Sequence, residues 1–288
     1  MLLGDLVRHA AERFESAGID SALADAELLA GHILGLSRGG VQAQILLGAE
    51  LTEVQAEALS NLYGRRFSRE PLQHITGIAY FRQLELGVGR GVFIPRPETE
   101  FVAQLAIDAV AAATRSGVQN PVAVDLGTGS GAIALAMATE IPAAKVFAVE
   151  KSTEAFPFTR ANFEKYAEQG DATLIQGDLA DAFQSLNGTV HVVASNPPYI
   201  PLAMIPRDEE VRLHDPDLAL YGGEDGMSVI HRVSATAKRL LVDGGVLIIE
   251  HADSQSAQVC QLLLADGWRE VKAHRDLTDR DRVVTAIK

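Results

Sequence analysis

The sequence predicts an α/β fold in which a parallel sheet is covered by helices on both faces, preceded by a small helical bundle and a β-hairpin. Three observations predict this architecture. Residues before about 70 show only helical periodicity, an alternating stretch follows near residue 81, and from about residue 120 apolar runs alternate with helical segments. With 288 residues, the chain is long enough for two domains. We therefore expect a bundle over 1–72, a hairpin linker over 73–95 and the α/β domain over 96–288.

The N-terminal residues form the bundle in this prediction. "LGDLVRHAAERFESAG" places apolar residues on one stripe and ends at Gly18, a typical helix stop. "DSALADAELLAGHILGLS" repeats the pattern, with Leu28 and Leu29 expected on the buried face. In "LTEVQAEALSNLYGRR", Thr52 is the expected N-cap and Val54 is expected on the apolar face. The basic cluster "YGRRFSR" that ends this part is either a solvated helix face or a patch for a partner.

The linker joins two patterns. "AYFRQLELGVG" alternates apolar and polar residues over 81–88, which predicts one arm of a hairpin. "GVFIPRPETE" follows, and its two prolines hold the chain extended around Arg96. Thr99 is expected near the start of a helix, because the acidic residues Glu98 and Glu100 suit the positive end of a helix.

Strands and helices alternate in the last part of the chain. The predicted strands are "PVAVDLG", "AKVFAVE", "ATLIQGD", "VHVVASN" and "GGVLIIEH", closed by "REVKAHRD" and "DRVVTAIK". Helical patterns lie between them in "GAIALAMATEI", "TEAFPFTRANFEKYAEQG", residues 226–241 and "SAQVCQLLLADGW". This alternation is typical of a parallel sheet that helices cover on both faces.

A glycine-rich turn follows the first of these strands. The stretch "DLGTGSG" runs from Asp125 to Gly131, with a strand before it and a helix after it. Glycines let a ligand approach the backbone closely, and the helix N-terminus offers N–H groups. This placement predicts a nucleotide cofactor at the turn, although such a turn can also be purely structural. The chain has no G-x-x-x-x-G-K-[ST] pattern, so it is not a P-loop NTPase.

Acidic residues after the next two strands indicate how a nucleoside would be held. Glu150 ends the second strand and can accept hydrogen bonds from ribose hydroxyls, a feature of both NAD and S-adenosylmethionine sites. The spacing G-x-G-x-G is one residue short of the dinucleotide pattern, and Asp125 beside the turn suits a cofactor with a cationic amino group. Asp178 could accept from the adenine amino group, with Leu179 against the ring, or it could be a turn acid.

The fourth strand ends in "SNPPYI". Pro197 and Pro198 have no N–H, so the strand must stop, and the loop is rich in acceptors. The Asn196 side chain and the Pro197 carbonyl are two fixed acceptors that suit a planar NH2 group, and Tyr199 offers an aromatic face. Accepting both N–H bonds favours the positive charge that develops when such a nitrogen attacks a methyl group. The carboxyl ends of parallel strands share one edge, so we expect this loop and the glycine turn to face one crevice.

These motifs resemble the class I S-adenosylmethionine-dependent methyltransferases, whose sheet is Rossmann-like. More closely, the chain is similar to the protein-(glutamine-N5) methyltransferases that act on peptide-chain release factors. The resemblance covers nearly the whole chain and includes "DAELLAGHIL", "FIPRPETE", "DLGTGSGAIALA", "SNPPYIP", "HDPDLALYGGEDG", "LIIEH" and "RDLTDRDRVV". "NPPY" alone is shared with adenine-N6 DNA methyltransferases, whereas "FIPRPETE" and "HDPDLALYGGEDG" are more specific.

The resemblance implies a reaction and a set of site residues. The enzyme would transfer the methyl group of S-adenosylmethionine to N5 of the glutamine in the Gly-Gly-Gln motif of class I release factors, and the helical domain would help to hold that protein. By resemblance, the cofactor site comprises Asp125, Gly127, Thr128, Gly129, Ser130, Gly131, Glu150, Asp178, Leu179 and Asn196. The glutamine would lie on Asn196, Pro197, Pro198 and Tyr199, of which Asn196, Pro197 and Tyr199 would be catalytic.

Composition limits the alternatives, which are methylation of a ribosomal-protein glutamine or of adenine N6 in nucleic acid. The net charge of −13 disfavours direct binding of nucleic acid. A single cysteine and the absence of a long apolar run predict a cytoplasmic protein without a membrane segment. Without an H-E-x-x-H motif or a Cys/His cluster, no metal site is expected, and we expect a monomer.

Overall fold

The computed structural model describes residues 1–206 and 208–288, and the chain divides into two units. Unit 1 comprises Met1–Ile78 together with Pro206–His214, and unit 2 comprises Ala79–Ile205 together with Asp215–Lys288. A segment from the second half of the chain therefore belongs to the unit that the N-terminal helices build. Within the described ranges, no helix combines the length and the apolar character needed to cross a bilayer.

The described residues form helices and strands in the order that an α/β fold requires. The helices are α1 (Leu3–Ser16), α2 (Ala22–Leu34), α3 (Arg38–Leu46), α4 (Glu53–Phe67), α5 (Leu72–Thr76), α6 (Thr99–Arg115), α7 (Ala132–Glu140), α8 (Phe156–Tyr166), α9 (Glu209–His214), α10 (Asp217–Leu220), α11 (Ser228–Leu240) and α12 (Ser256–Ala265). The strands are β1 (Ile78–Phe81), β2 (Leu84–Gly87), β3 (Val122–Leu126), β4 (Lys145–Glu150), β5 (Asp171–Gln176), β6 (Val190–Ser195), β7 (Leu241–Glu250), β8 (Arg269–Arg275) and β9 (Asp281–Ile287).

Unit 1 is helical, as the sequence predicts. Its core includes Phe14, which packs edge-on against the Tyr63 ring at 5.7 Å between ring centroids. Thr52 is the N-cap of α4 and forms a capping box, which confirms that prediction. The predicted apolar faces are wrong at two positions, because Val54 is 78% exposed and Leu28 is also exposed. Other residues of the same two helices are buried in the core. Helical periodicity alone did not show that Val54 and Leu28 face solvent.

The basic cluster of α4 is not simply a solvated helix face. Arg66 is only 3% exposed, and its guanidinium donates to Asp25 at 2.7 Å. Its other side lies 2.8 Å from Glu210 of α9. A buried cation requires compensating charge, and these two carboxylates supply it. The pair with Glu210 therefore links α9 to the earlier helices of unit 1.

Unit 2 is built on a sheet of seven strands among the described residues, in the order β5-β4-β3-β6-β7-β9-β8. Strands β5, β4, β3, β6 and β7 pair in parallel, and β9 and β8 close the sheet antiparallel to them. One apolar cluster contains side chains of α6 and α7, and a second contains side chains of α11 and α12, so helices cover both faces. This confirms the predicted Rossmann-like fold.

One local prediction needs adjustment. The stretch expected to form one hairpin arm contains the turn and strand β2 as well as most of β1, because Arg82 takes a left-handed conformation (φ 52°) in the connecting turn. The helical pattern that contains Pro157 is confirmed as α8, and this proline lies at the first turn, where a missing N–H costs no helical hydrogen bond.

Candidate active site

The strand order places the site at the carboxyl edge of β3 and β6. Strand β4 lies on one side of β3 and β6 on the other, so the winding reverses between β3 and β6. The two strands pair in register, with Asp125 opposite Ala194, and the Ser195 hydroxyl donates to the Leu126 carbonyl at 2.6 Å. The glycine turn after β3 and the Asn196 loop after β6 are therefore neighbours.

A cavity of about 240 Å³ opens at this edge. Of the residues that the sequence predicts for the site, the cavity is lined by Gly127, Thr128, Gly129, Ser130, Glu150, Asp178, Leu179, Asn196, Pro198 and Tyr199. Asp125, Gly131 and Pro197 are not among its lining residues. The structure therefore brings the glycine turn, the acid after β4 and the Asn196 loop around one space.

The glycine turn is held by the acid that precedes it. The buried Asp125 accepts from the Thr128 hydroxyl at 2.6 Å and from the Ala134 N–H at 3.2 Å. Burial raises the pKa of Asp125 to about 7, because desolvation disfavours the charged carboxylate. Gly129 takes φ 58° in the turn, a region that glycine adopts without strain, and the space that a Cβ would fill there is open. Asp125 therefore supports the turn from beneath the cavity.

Glu150 ties β4 to the same turn. Its carboxylate is 7% exposed and accepts from the Gly129 N–H at 2.8 Å and from the Ser152 N–H at 2.6 Å. Burial raises the pKa of Glu150, and these N–H groups oppose that shift. Each carboxylate oxygen has a second lone pair, so Glu150 can still accept from two hydroxyl groups in the cavity.

Asp178 is already paired with two cations that the sequence did not indicate. It accepts from Arg232 of α11, and Lys151 lies 3.1 Å away. The hydrogen bond from Arg232 and a backbone N–H hold the pKa of Asp178 well below its usual range. Arg232 and Lys151 line the cavity beside Leu179. Only the fold could reveal Arg232, because it lies far along the chain from Asp178.

The Asn196 loop is held on several sides. The Asn196 side-chain NH2 donates to the Thr99 hydroxyl at 3.1 Å, and the Tyr199 hydroxyl lies 3.5 Å from Glu250. Burial raises the pKa of Tyr199, with the charge of Glu250 as a second cause. The Gln255 side chain donates to the Tyr199 carbonyl at 3.0 Å. Side chains from three other segments of the chain therefore contact this loop.

The "YGGEDG" stretch packs directly on this loop. A Cβ on Gly226 would lie 2.1 Å from the Tyr199 carbonyl oxygen, and one on Gly222 would lie 2.5 Å from the Pro198 carbonyl oxygen. The Ile200 N–H donates to the Leu220 carbonyl at 2.9 Å. Glycine is required here because the two backbones are in contact. These glycines therefore shape the loop without lining the cavity.

The other sequence-specific stretch, "FIPRPETE", contributes to the cavity wall. Phe93, Pro95 and Thr99 line the cavity. Arg96 donates to the buried Asp215 at 2.6 Å, which joins this stretch to the "HDPDL" segment. Thr99 was predicted at a helix start but not as a site residue. Its position in "FIPRPETE" was the available signal.

Comparisons with known proteins show which sequences and folds the chain is similar to. Residues 5–77 match the family model of the PrmC N-terminal domain, and residues 100–203 match that of the methyltransferase small domain. The chain is 47% identical to a release factor glutamine methyltransferase of Streptomyces coelicolor, covering 98% of this chain and 96% of that protein. It is 38% identical to a 4-amino-L-phenylalanine/4-methylamino-L-phenylalanine methyltransferase of Streptomyces pristinaespiralis, covering 99% and 95%. A solved methyltransferase from Pyrococcus furiosus shares the fold, with a TM-score of 0.51 and 19% identity over 80% of this chain and 98% of that chain.

Proposed function

The chain belongs to the release factor glutamine methyltransferase family, and from that premise we propose how its site works. The enzyme transfers the methyl group of S-adenosylmethionine to the side-chain nitrogen N5 of the glutamine in the Gly-Gly-Gln motif of class I peptide-chain release factors. One observation carries the assignment of the site: a single cavity joins the glycine turn and Glu150 to the Asn196 loop. This arrangement provides one wall for a nucleoside and another for an NH2 group.

The residues present fit S-adenosylmethionine. The space beside Gly129 is open where a Cβ would lie, so a ligand can approach the backbone there. Glu150 would accept from the ribose hydroxyls with its remaining lone pairs, and Gly127 to Ser130, which line the cavity, would surround the methionine part. Leu179 would pack against the adenine, with Asp178 and its cationic partners beside it. When bound, the cofactor supplies an electrophilic methyl group on a sulfonium.

The Asn196 loop provides the acceptors for the glutamine amide. The amide nitrogen is a poor nucleophile because its lone pair is delocalised into the carbonyl group. In our proposal, the Asn196 side-chain oxygen and the Pro197 carbonyl accept its two N–H bonds, which favours positive charge on nitrogen during the attack. Tyr199 would offer its ring face to the amide, and the loop would hold the nitrogen in line with the methyl group. As the N–CH3 bond forms, the S–CH3 bond breaks and its electron pair stays on sulfur, so S-adenosyl-L-homocysteine leaves and the nitrogen loses one N–H proton to solvent.

The relative from Streptomyces pristinaespiralis is consistent with this chemistry. Its name describes methylation of an aromatic NH2 group, and the lone pair of such a nitrogen is also delocalised. A loop that accepts two N–H bonds suits both kinds of nitrogen. In our proposal, the loop binds the NH2 group that is methylated. Surfaces outside the loop select the release factor as the substrate.

We assign the hold on the release factor in part to the helical residues. The match to the PrmC N-terminal domain over residues 5–77 supports this assignment. Unit 1 also exposes large apolar side chains, with Leu46 88% and Leu47 79% exposed. Replacing both leucines by serine should raise KM for an intact release factor and leave KM for a short Gly-Gly-Gln peptide unchanged.

Labelled methyl transfer tests the proposed function. Purified enzyme is incubated with labelled S-adenosylmethionine and a release factor, a ribosomal protein or DNA, and the modified peptide is mapped by mass spectrometry. We expect the label on the Gly-Gly-Gln glutamine. Asn196→Ala should lose most of its turnover while its Kd for S-adenosylmethionine changes little. Label found only in nucleic acid, or only in a ribosomal protein, would overturn the proposal.

A further inference from the structure

Behind the Asn196 loop lies a buried acid that the reaction described above does not use. Glu250 ends β7, is 2% exposed and does not line the cavity. Its Oε1 atom is 3.5 Å from the Tyr199 hydroxyl, and Thr99 is the second polar side chain that favours the charged form of the carboxylate. Its Oε2 atom is buried and has no hydrogen-bond partner among the described residues. Burying a carboxylate without a full set of hydrogen-bond partners costs free energy, which suggests that Glu250 has a role at this position.

The chemistry of the groups around the Thr99 hydroxyl decides which of them donates a hydrogen bond and which accepts one. An ionised carboxylate can only accept, so the single O–H of Thr99 points to Glu250. The Thr99 oxygen can then only accept from its other neighbour, which is the Asn196 side chain at 3.1 Å. Asn196 must turn its NH2 group to Thr99, and its carbonyl oxygen consequently points away from Thr99.

We propose that Glu250 is a positioning residue for methyl transfer, which acts through Thr99 to hold the Asn196 side-chain oxygen towards the cavity. This inference rests on the proposed function, in which that oxygen accepts an N–H of the substrate amide. With the amide of Asn196 reversed, its NH2 group would face the NH2 group of the substrate. Two donors would then oppose each other, and the substrate nitrogen would lose its acceptor.

Charged and polar groups from other segments of the chain affect the ionisation of Glu250. Arg282 on β9 favours the ionised form, and it is itself paired with Asp276 at 3.2 Å. Glu98, just before α6, and burial both disfavour the ionised form, while the Thr99 and Tyr199 hydroxyls favour it. Burial is the largest effect and raises the pKa of Glu250 to about 7. The direction of the Thr99 bond is therefore sensitive to protonation near neutral pH.

Glu250→Gln is the decisive variant because glutamine has the same shape but carries an NH2 group. That group can donate to Thr99, which reverses the hydroxyl and, in turn, the Asn196 amide. We expect kcat for release-factor methylation to fall by about 10- to 100-fold. The Kd for S-adenosylmethionine, measured by calorimetry on the same sample, should stay within about twofold, and Glu27→Gln serves as a control. Glu27 is buried and paired with Arg38 in the helical unit, far along the chain from the site residues.

A pH profile at saturating substrates supplies the second readout. In the wild type, kcat should fall about tenfold from pH 8 to pH 6 as Glu250 takes up a proton. Glu250→Gln should lose this acid limb. If the limb persists unchanged in the variant, another group is responsible for it, and the inference is overturned.

Two substitutions at Thr99 keep the test decisive if Glu250→Gln does not fold. Thr99→Ser retains the hydroxyl and should stay within about threefold of wild-type kcat. Thr99→Val removes it and should behave like Glu250→Gln. Wild-type-like kcat in Thr99→Val or in a folded Glu250→Gln would overturn the inference while leaving the proposed function intact. If the wild type itself transfers no methyl group to the release factor, the proposed function fails, and this inference fails with it.

Discussion

The contact between Gly226 and the Asn196 loop leads to a sharp prediction for Gly226→Ala. The added Cβ would lie 2.1 Å from the Tyr199 carbonyl oxygen, whereas ordinary van der Waals contact begins at 3.4 Å. The carbonyl must therefore move by more than about 1 Å, and the hydrogen bond that it accepts from Gln255 at 3.0 Å would be strained or lost.

Gly226→Ala should lower both the stability of the protein and its rate of methyl transfer. Gly226 has φ 77°, and placing an alanine in that region costs about 1–2 kcal/mol. Displacement of the packed loop adds about 1–3 kcal/mol to the loss of stability. A shift of about 1 Å at a positioning loop costs about 100-fold in rate. Gly188→Ala is the matched control, because Gly188 has φ 68° and nothing lies within 4 Å of its added Cβ.

The assay compares the two variants in labelled methyl transfer to a release factor and in thermal unfolding. Both variants should lose the stability associated with the left-handed backbone, but only Gly226→Ala should lose about 100-fold in kcat. Binding of S-adenosylmethionine should persist in both, since neither glycine lines the cavity. A kcat for Gly226→Ala within twofold of that for Gly188→Ala would show that the contact with the Tyr199 carbonyl does not control turnover.

Three further predictions concern charged groups. Glu150→Gln should raise the Kd for S-adenosylmethionine about 10- to 100-fold in calorimetry, because it weakens both the ribose contact and the Gly129 contact; an unchanged Kd would contradict the role of Glu150. Asp25→Ala breaks the buried pair with Arg66 and should reduce the free energy of unfolding in urea by about 3–5 kcal/mol. Asp5→Ala, which breaks an exposed pair, should reduce it by only about 0–1 kcal/mol. Equal losses in the two variants would contradict this prediction. Burial raises the pKa of Asp125 to about 7. Between about pH 4 and 7, Asp125 therefore binds more protons in the folded state than in the unfolded chain. The free energy of unfolding should consequently fall as pH rises through this range. Asp125→Asn should flatten that slope in urea titrations at several pH values, and an unaltered slope would count against it.

Much of the fold could be predicted from local patterns. The five parallel strands, the helices between them and the closing antiparallel pair follow from apolar runs and their spacing. The glycine turn and the Asn196 loop could also be placed at one edge, since parallel strands end on the same side. The errors at Val54 and Leu28 arose where periodicity could not show which turns of a helix lie against a neighbour.

The partners of the site residues were harder to predict. Site residues meet Thr99, Arg232 and Glu250 from elements that are distant from them in sequence. No spacing rule connects them, because the sheet order and the strand register decide which side chains meet. Arg96 and Asp215 are a similar case, since both lie in stretches recognised from the sequence but their ion pair is a product of the fold.

The ion pairs of Arg66 bear on how the chain is made and how it can be divided. Asp25 precedes Arg66, so this pair can form as soon as the N-terminal helices leave the ribosome. Glu210 is synthesised much later, after four strands of the seven-stranded sheet and the Asn196 loop. The helical unit therefore reaches its final set of contacts only once most of unit 2 has been translated. A fragment cut after Ile78 would retain Asp25 but lack the second carboxylate, so the unit is not encoded by one continuous stretch of the gene.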